Sequence, residues 1–147
     1  MVNKVLSRYN TSPPKELLTD GVERAIDGGP LYKDILEVLA VSSIQLVTQK
    51  CSLDLALHNL DVGEVREWIE EAVAKGRYVN SQWCAIQGKN CIAACDAYLV
   101  SGFIELKNGE KELKDMYIKF SVSKTGTAVL TVSFHESSFS GVVGYDK

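Results

Sequence analysis

At Gly76 the spacing of apolar residues changes from about 3.6 to 2, and this change constrains the fold more than any other feature of the chain. Before it the pattern is helical. Ser12-Pro13-Pro14 opens a predicted helix with Leu17, Leu18, Val22 and Ile26 on one face, and Gly28-Gly29-Pro30 ends it. Leu31, Ile35, Val38, Leu39, Ser42 and Leu46 predict a longer helix over 31–49, and a short helical piece is expected over 52–59. Asp61 is an N-cap for "VGEVREWIEEAVAKG", with Glu64 three residues on as the second half of a capping box. Val65, Trp68, Ile69 and Ala72 form the stripe this helix should bury.

After Gly76 four strands are expected, over 77–86, 91–105, 112–123 and 128–135, joined by three hairpins. Gly88-Lys89, Asn108-Gly109 and Thr125-Gly126-Thr127 supply the turns. The predicted fold is α+β, with N-terminal helices packed on a four-stranded antiparallel meander. At 147 residues the chain reads as a single domain, helical over 1–76, sheet over 77–137, with a tail over 138–147.

The turns also predict register. A two-residue Asn108-Gly109 loop pairs Lys107 with Glu110. That sets Leu99 against Ile118, Ala97 against Phe120 and Cys95 against Val122, all apolar. The opposite face then carries Tyr98 with Lys119, Asp96 with Ser121, and Val100 with Tyr117. In the next hairpin Lys124 pairs with Ala128. This sets Ile118 against Phe134, Phe120 against Val132 and Val122 against Leu130, with Tyr117–His135, Lys119–Ser133 and Ser121–Thr131 on the other face. The expectation is one polar sheet face on which Tyr117, Lys119 and His135 cluster. A wetted sheet face is common and would explain it without any chemistry. A lysine beside a histidine and a tyrosine also suits an anionic ligand.

Such a cluster has the parts for metal-free RNA cleavage: His135 as base or acid, Lys119 helped by Arg77 as phosphate clamp, and Tyr117 as donor or second proton carrier. Asp96, Tyr98, Ser121 and Ser133 are the expected substrate contacts. No cofactor or metal is called for. Cys84, Cys91 and Cys95, at C-x6-C-x3-C, fall on one face and read as buried thiols, with a zinc site joined by Cys51 or His58 as the competing reading. His58 otherwise reads as a structural or surface residue, and Trp83 falls on the polar side, where it could stack on a base or cover a sheet edge.

"LDVGEVREWIEEAV", "CDAYLV", "MYIKFSV" and "LTVSFHES" resemble, in order and over about residues 60–137, the MqsR-type mRNA interferase toxins of bacterial toxin–antitoxin pairs, and more widely the RelE-like ribonuclease fold. The resemblance implies a cytoplasmic ribonuclease, with RNA as substrate and a protein antitoxin as partner, in which Tyr117 and His135 act in cleavage. The family has lysine at the position of His135 and glutamine at that of Cys95; Arg77 and Lys89 are candidates for its earlier lysine.

Charge suggests a second class. Residues 1–75 hold 8 Lys/Arg against 12 Asp/Glu, and residues 76–147 hold 8 against 7. The acidic helical half reads either as a solvated surface or as an immunity- or antitoxin-like face that blocks a basic partner. No run approaches the ~18 apolar residues of a membrane span, and "MVNKVLSRYN" carries no secretion signal, so a cytoplasmic protein without membrane contact is expected.

Overall fold

The computed structural model describes residues 3–15, 23–86 and 90–137. In chain order the elements are β1 (Lys4–Val5), β2 (Glu23–Ile26), α1 (Ile35–Val41), β3 (Ser43–Leu46), α2 (Gln49–Leu57), α3 (Val62–Lys75), β4 (Arg77–Ala85), β5 (Cys91–Glu105), β6 (Lys111–Val122) and β7 (Ala128–Glu136). They build a seven-stranded mixed sheet ordered β2-β4-β5-β6-β7-β3, with β1 against β5. This corrects the expected fold of N-terminal helices on a four-stranded antiparallel meander. About 45% of the described residues are strand and 24% helix, so sheet dominates. The run β4 to β7 does form consecutive hairpins, but the N-terminal half adds three strands, and β1 and β3 pair in parallel with β5 and β7.

The two long helices predicted from the first half are corrected by short-range patterns. Gly28 and Gly29 adopt φ of +110° and +85°, and Ile26 before them lies in β2, not in a helix. The remaining apolar residues of that helix, Leu17, Leu18 and Val22, lie outside the described residues, as do the Gly88-Lys89 turn and the 138–147 tail. The helix expected over 31–49 stops at Val41. Beyond it, exposed Ser43 and Gln45 alternate with half-buried Ile44 and Leu46, which is a strand period. The Arg66 guanidinium donates to the carbonyls of Leu39 and Ser42 at the end of α1. Thr48 then starts α2: its Oγ1 accepts from Cys51 N at 3.1 Å and donates to the Val132 carbonyl at 2.8 Å.

α3 begins at the expected capping box. Asp61 Oδ1 accepts from Glu64 N at 2.8 Å, and Glu64 Oε1 accepts from Asp61 N at 3.1 Å. Val65, Ile69 and Ala72 are buried, while Trp68 is half-buried against Phe134. The helices share one core with Val100, Met116, Ile118, Phe120 and Phe134 of the sheet. No helix among the described residues is long and apolar enough to cross a membrane.

The sheet is forked. β5 pairs with β6 from Glu105 as far as Asp96 and then with β1, which enters between β5 and the end of β6. Arg8 N donates to the Val122 carbonyl, and Ser7 bridges Ser123. Hydroxyl groups close the gap around Ala94. Ser7 Oγ accepts from Ala94 N at 3.0 Å, and Tyr32 OH and Ser121 Oγ reach its carbonyl at 2.6 and 2.7 Å. Burial pushes the Tyr32 phenol up to about 12, so it stays a donor.

Beside the fork sits the fully buried Asp96. It accepts from Leu31 N on both oxygens at 3.0 Å, from Tyr32 N at 3.1 Å and from Ser81 Oγ at 2.6 Å. All these partners are donors, so an acceptor-only carboxylate fits the site. Burial raises its pKa despite the bonds that lower it. The folded chain therefore holds this proton more readily than the unfolded chain. The residue's contribution to stability falls as pH rises from the ordinary carboxylate range through the folded pKa. Asp96→Asn turns an NH₂ toward backbone donors. Urea unfolding at neutral pH is expected to show a loss of about 1–3 kcal/mol, with the Asp96 part of the pH slope gone.

Candidate functional site

Tyr117, Lys119, Ser133 and His135 are brought together in the expected pairs, but not by the expected turn: Ser123, not Lys124, pairs with Ala128, so the loop holds four residues, and a bulge farther along β7 restores the register. Tyr117 pairs with His135, and Lys119 with Ser133. The Tyr117 and His135 rings stack at 5.1 Å between centroids with an interplanar angle of 20°. Lys119 Nζ lies 5.8 Å from the Tyr117 ring centroid. Tyr117, Ser133 and His135 are half-buried, while Lys119 is 5% exposed. His135 Nδ1 lies 2.9 Å from the Glu136 carbonyl. A carbonyl only accepts, so in the neutral ring it is Nδ1 that carries the proton and Nε2 that holds the lone pair a general base needs.

The β5–β6 register differs from the expected one by one residue. Leu106 N donates to the Glu110 carbonyl and Gly109 N to the Leu106 carbonyl, so the loop holds three residues, with Gly109 at φ +84°. The register therefore sets Tyr98 against Ile118 and Leu99 against Tyr117. A slip of one exchanges faces. Tyr98 stacks on Phe120 at 5.9 Å in the helix-side core, with burial pushing its phenol up to about 12. Asp96 and Ser121 serve the fork described above. The expected contacts Asp96, Tyr98 and Ser121 thus lie in the interior, away from the cluster. Leu99 and Ala97 form the floor beside Tyr117 and Lys119.

Two residues join from β4. Cross-strand partners share a face, and one row runs Arg77–Leu99–Tyr117–His135. Arg77 is exposed and lies two strands, about 10 Å, from Tyr117. The next row runs Asn80–Ala97–Lys119–Ser133. The sequence reading missed Asn80, because its arrival here depends on an extra residue in β4.

Both ends of this second row are marked by register shifts. β4 slips between Tyr78 and Asn80, with Val79 as the extra residue. β7 slips opposite Lys119 and Phe120, with Val132 as the extra residue. The four-residue loop closed by Ser123 and Ala128 replaces the expected Phe120–Val132, Ser121–Thr131 and Val122–Leu130 pairs with Phe120–Thr131, Ser121–Leu130 and Val122–Val129, and the β7 bulge then restores Lys119–Ser133. Bulges bend a strand and re-aim its side chains. Here one lies directly opposite the buried Lys119 and the other two strands away at the far end of its row. Asn80 Oδ1 is buried and accepts no hydrogen bond. It lies two strands, about 10 Å, from Lys119, with Ala97 between them.

Farther along, the same face is apolar and buried. Cys84, Ile86, Ala93, Cys95 and Val132 form a second cluster, with Cys91 packed against it. The three cysteines do share a face. Cys95 is pushed well above the usual thiol range by burial first and by Cys84 next, while the Lys119 charge pulls the other way. Among the described residues no three His, Cys, Asp or Glu side chains gather to hold a metal ion. Trp83 is buried near Tyr9, with ring centroids 5.9 Å apart, rather than presented on a polar face. His58 lies across the sheet from His135. It lines a cleft of about 440 Å³ at the end of α2, with Lys107, Lys114 and Glu136. Lys114 binds Glu136 at 2.7 Å and holds its carboxyl below the usual range.

The neighbours Asn80 and Ser81 make a test. Ser81→Ala removes a donor to Asp96 and is expected to cost about 1–3 kcal/mol in urea unfolding. Asn80→Ala removes an unsatisfied carbonyl and is expected to cost less than about 1 kcal/mol.

Comparison with family models, with curated proteins and with solved structures finds no match. The resemblance to MqsR-type toxins rests on its sequence motifs alone.

Proposed function

We propose that this protein is a metal-independent endoribonuclease whose site is the bulge-flanked face carrying Asn80, Tyr117, Lys119, Ser133 and His135, with Arg77 at its rim. The observation that carries the reading is the clustering of Tyr117, Lys119, Ser133 and His135 beside the β7 bulge, with a second bulge two strands away at Asn80. RNA supplies its own nucleophile, so the chain needs only a base, a cation and an acid.

His135 Nε2 takes the proton of the ribose 2′-OH. The 2′-oxygen forms a bond to phosphorus as the bond to the 5′-oxygen breaks, and the Tyr117 phenol gives its proton to that leaving oxygen. The products are a 2′,3′-cyclic phosphate and a 5′-hydroxyl. Lys119, largely removed from water, stabilises the charge that builds on the phosphate more strongly than an exposed lysine would. Arg77 holds a neighbouring phosphate. The Asn80 carbonyl accepts from a hydroxyl or a base N–H.

Purified protein is expected to cleave a mixed RNA in EDTA and leave cyclic phosphate ends. His135→Ala is expected to lower the rate by about 10²–10⁴, and Tyr117→Phe and Asn80→Ala to lower it with the fold intact by circular dichroism. Absence of cleavage by folded wild type, both on free RNA and in a translation extract, would overturn the reading.

A further inference from the structure

We propose that the outer edge of β5, from Val100 to Glu105, docks an extended basic segment of a protein partner by strand addition against α3. β4 reaches β5 only as far as the Arg77–Leu99 pair. Beyond it β5 pairs with β6 on one side, and among the described residues no strand pairs with its other side. Hydrogen bonding alternates along an antiparallel pair. Leu106 and Glu110 bond to each other, so Ile104 and Gly102 bond toward β6, and the amides and carbonyls of Ser101, Phe103 and Glu105 point to the outer edge. Sheet edges are usually blunted by proline, inward charge or short length. The stretch Val100-Ser101-Gly102-Phe103-Ile104-Glu105 contains neither proline nor lysine, and Phe103 is 61% exposed.

The edge borders a groove of about 180 Å³ lined by Glu67, Trp68, Glu71, Ser101, Gly102 and Phe103. Gly102 lets the Trp68 indole lie on the strand, since a Cβ there would sit 2.6 Å from the ring. A residue of an added strand next to Gly102 would meet that indole between two carboxylates. This is a setting for a lysine or arginine side chain.

Charge selects the occupant. Residues 61–75 carry five acidic side chains and two basic ones. Of the basic pair, Arg66 is spent on the carbonyls of Leu39 and Ser42, and Lys75 stands 3.4 Å from Glu71. A second copy of this chain would bring the same acids to the same edge, and RNA would be repelled by them. An extended basic peptide is complementary to both the backbone edge and the carboxylates.

The probe is a twelve-residue peptide alternating arginine and valine, with its glutamate–valine counterpart as control, titrated into the full chain and followed by backbone amide NMR. The expected result is saturable binding by the arginine peptide with shifts centred on Ser101, Phe103 and Glu105. The affinity is expected to weaken about tenfold in Glu67→Gln/Glu71→Gln and to fall with added salt. Phe103→Pro, which deletes one outward N–H on an edge where proline is tolerated, is expected to lose binding and keep RNA cleavage. No binding up to about 1 mM peptide, equal binding by the double variant, or shifts centred on β2 or β3 would overturn the proposal. So would a dimer in sedimentation that Phe103→Pro abolishes.

Discussion

The buried carboxylate of Asp96 is the constraint on which the architecture rests. It sits at mid-sheet in β5, where a negative charge is costly unless every lone pair is used. Its donors come from Ser81 on the adjacent strand and from the backbone of Leu31 and Tyr32, about 65 residues upstream. The chain just before α1 is therefore fastened to the sheet centre by polar bonds with one solution. That fastening sets Tyr32 under the sheet, with its hydroxyl at the Ala94 carbonyl. The same hydroxyl helps seal the fork through which β1 enters. Arg8, three residues past β1, in turn forms an ion pair with Asp34, at 2.5 Å, just ahead of α1. Apolar contacts alone would let these segments slide. The carboxylate gives them an address.

Much of the second half was legible in sequence because its signals are local. The period-2 runs fix β4 to β7 to within a residue or two at most ends, and Asp61 with Glu64 marks the start of α3. The Tyr117–His135 and Lys119–Ser133 pairs came out as expected only because two irregularities offset: the loop holds four residues instead of three, and the Val132 bulge takes up the difference. Asn108-Gly109 misled because the same dipeptide serves a three-residue loop with glycine in the left-handed position, and the difference of one residue exchanges the faces of β5. The N-terminal strands were missed for a different reason. β1, β2 and β3 hold two to four residues each, too few for a period to stand out, and two of them are defined by parallel partners far along the chain. No local pattern encodes such a pairing.

The site shows the same division. Its central pairs matched the reading of one hairpin, but through a longer loop and a bulge that no local signal announced. Its boundary follows from Val79 and Val132, two valines that look like any strand residue until the strands are paired. Asn80 reaches the face of Lys119, and Ser81 reaches Asp96 on the other, because of the irregularity beside them. The face that carries Tyr117 and His135 is also less polar than the alternation implied, passing within a few residues into the cysteine cluster.

The parallel pairing of β3 has a consequence for the order in which the chain can become structured. Ser43 to Leu46 find their partners at Ala128 to Thr131, and Lys4 and Val5 find theirs at Cys91 and Ile92. Both closures span more than eighty residues, and the entropy of such loops must be met before any contact rewards it. On the ribosome the helical half emerges first with its apolar stripe unpaired, and β3 stays without a neighbour until β7 has been synthesised and released from the exit tunnel. The last strand among the described residues thus locks an early segment in place, so a nascent chain truncated ahead of Ala128 holds an open edge where the finished molecule has a paired one.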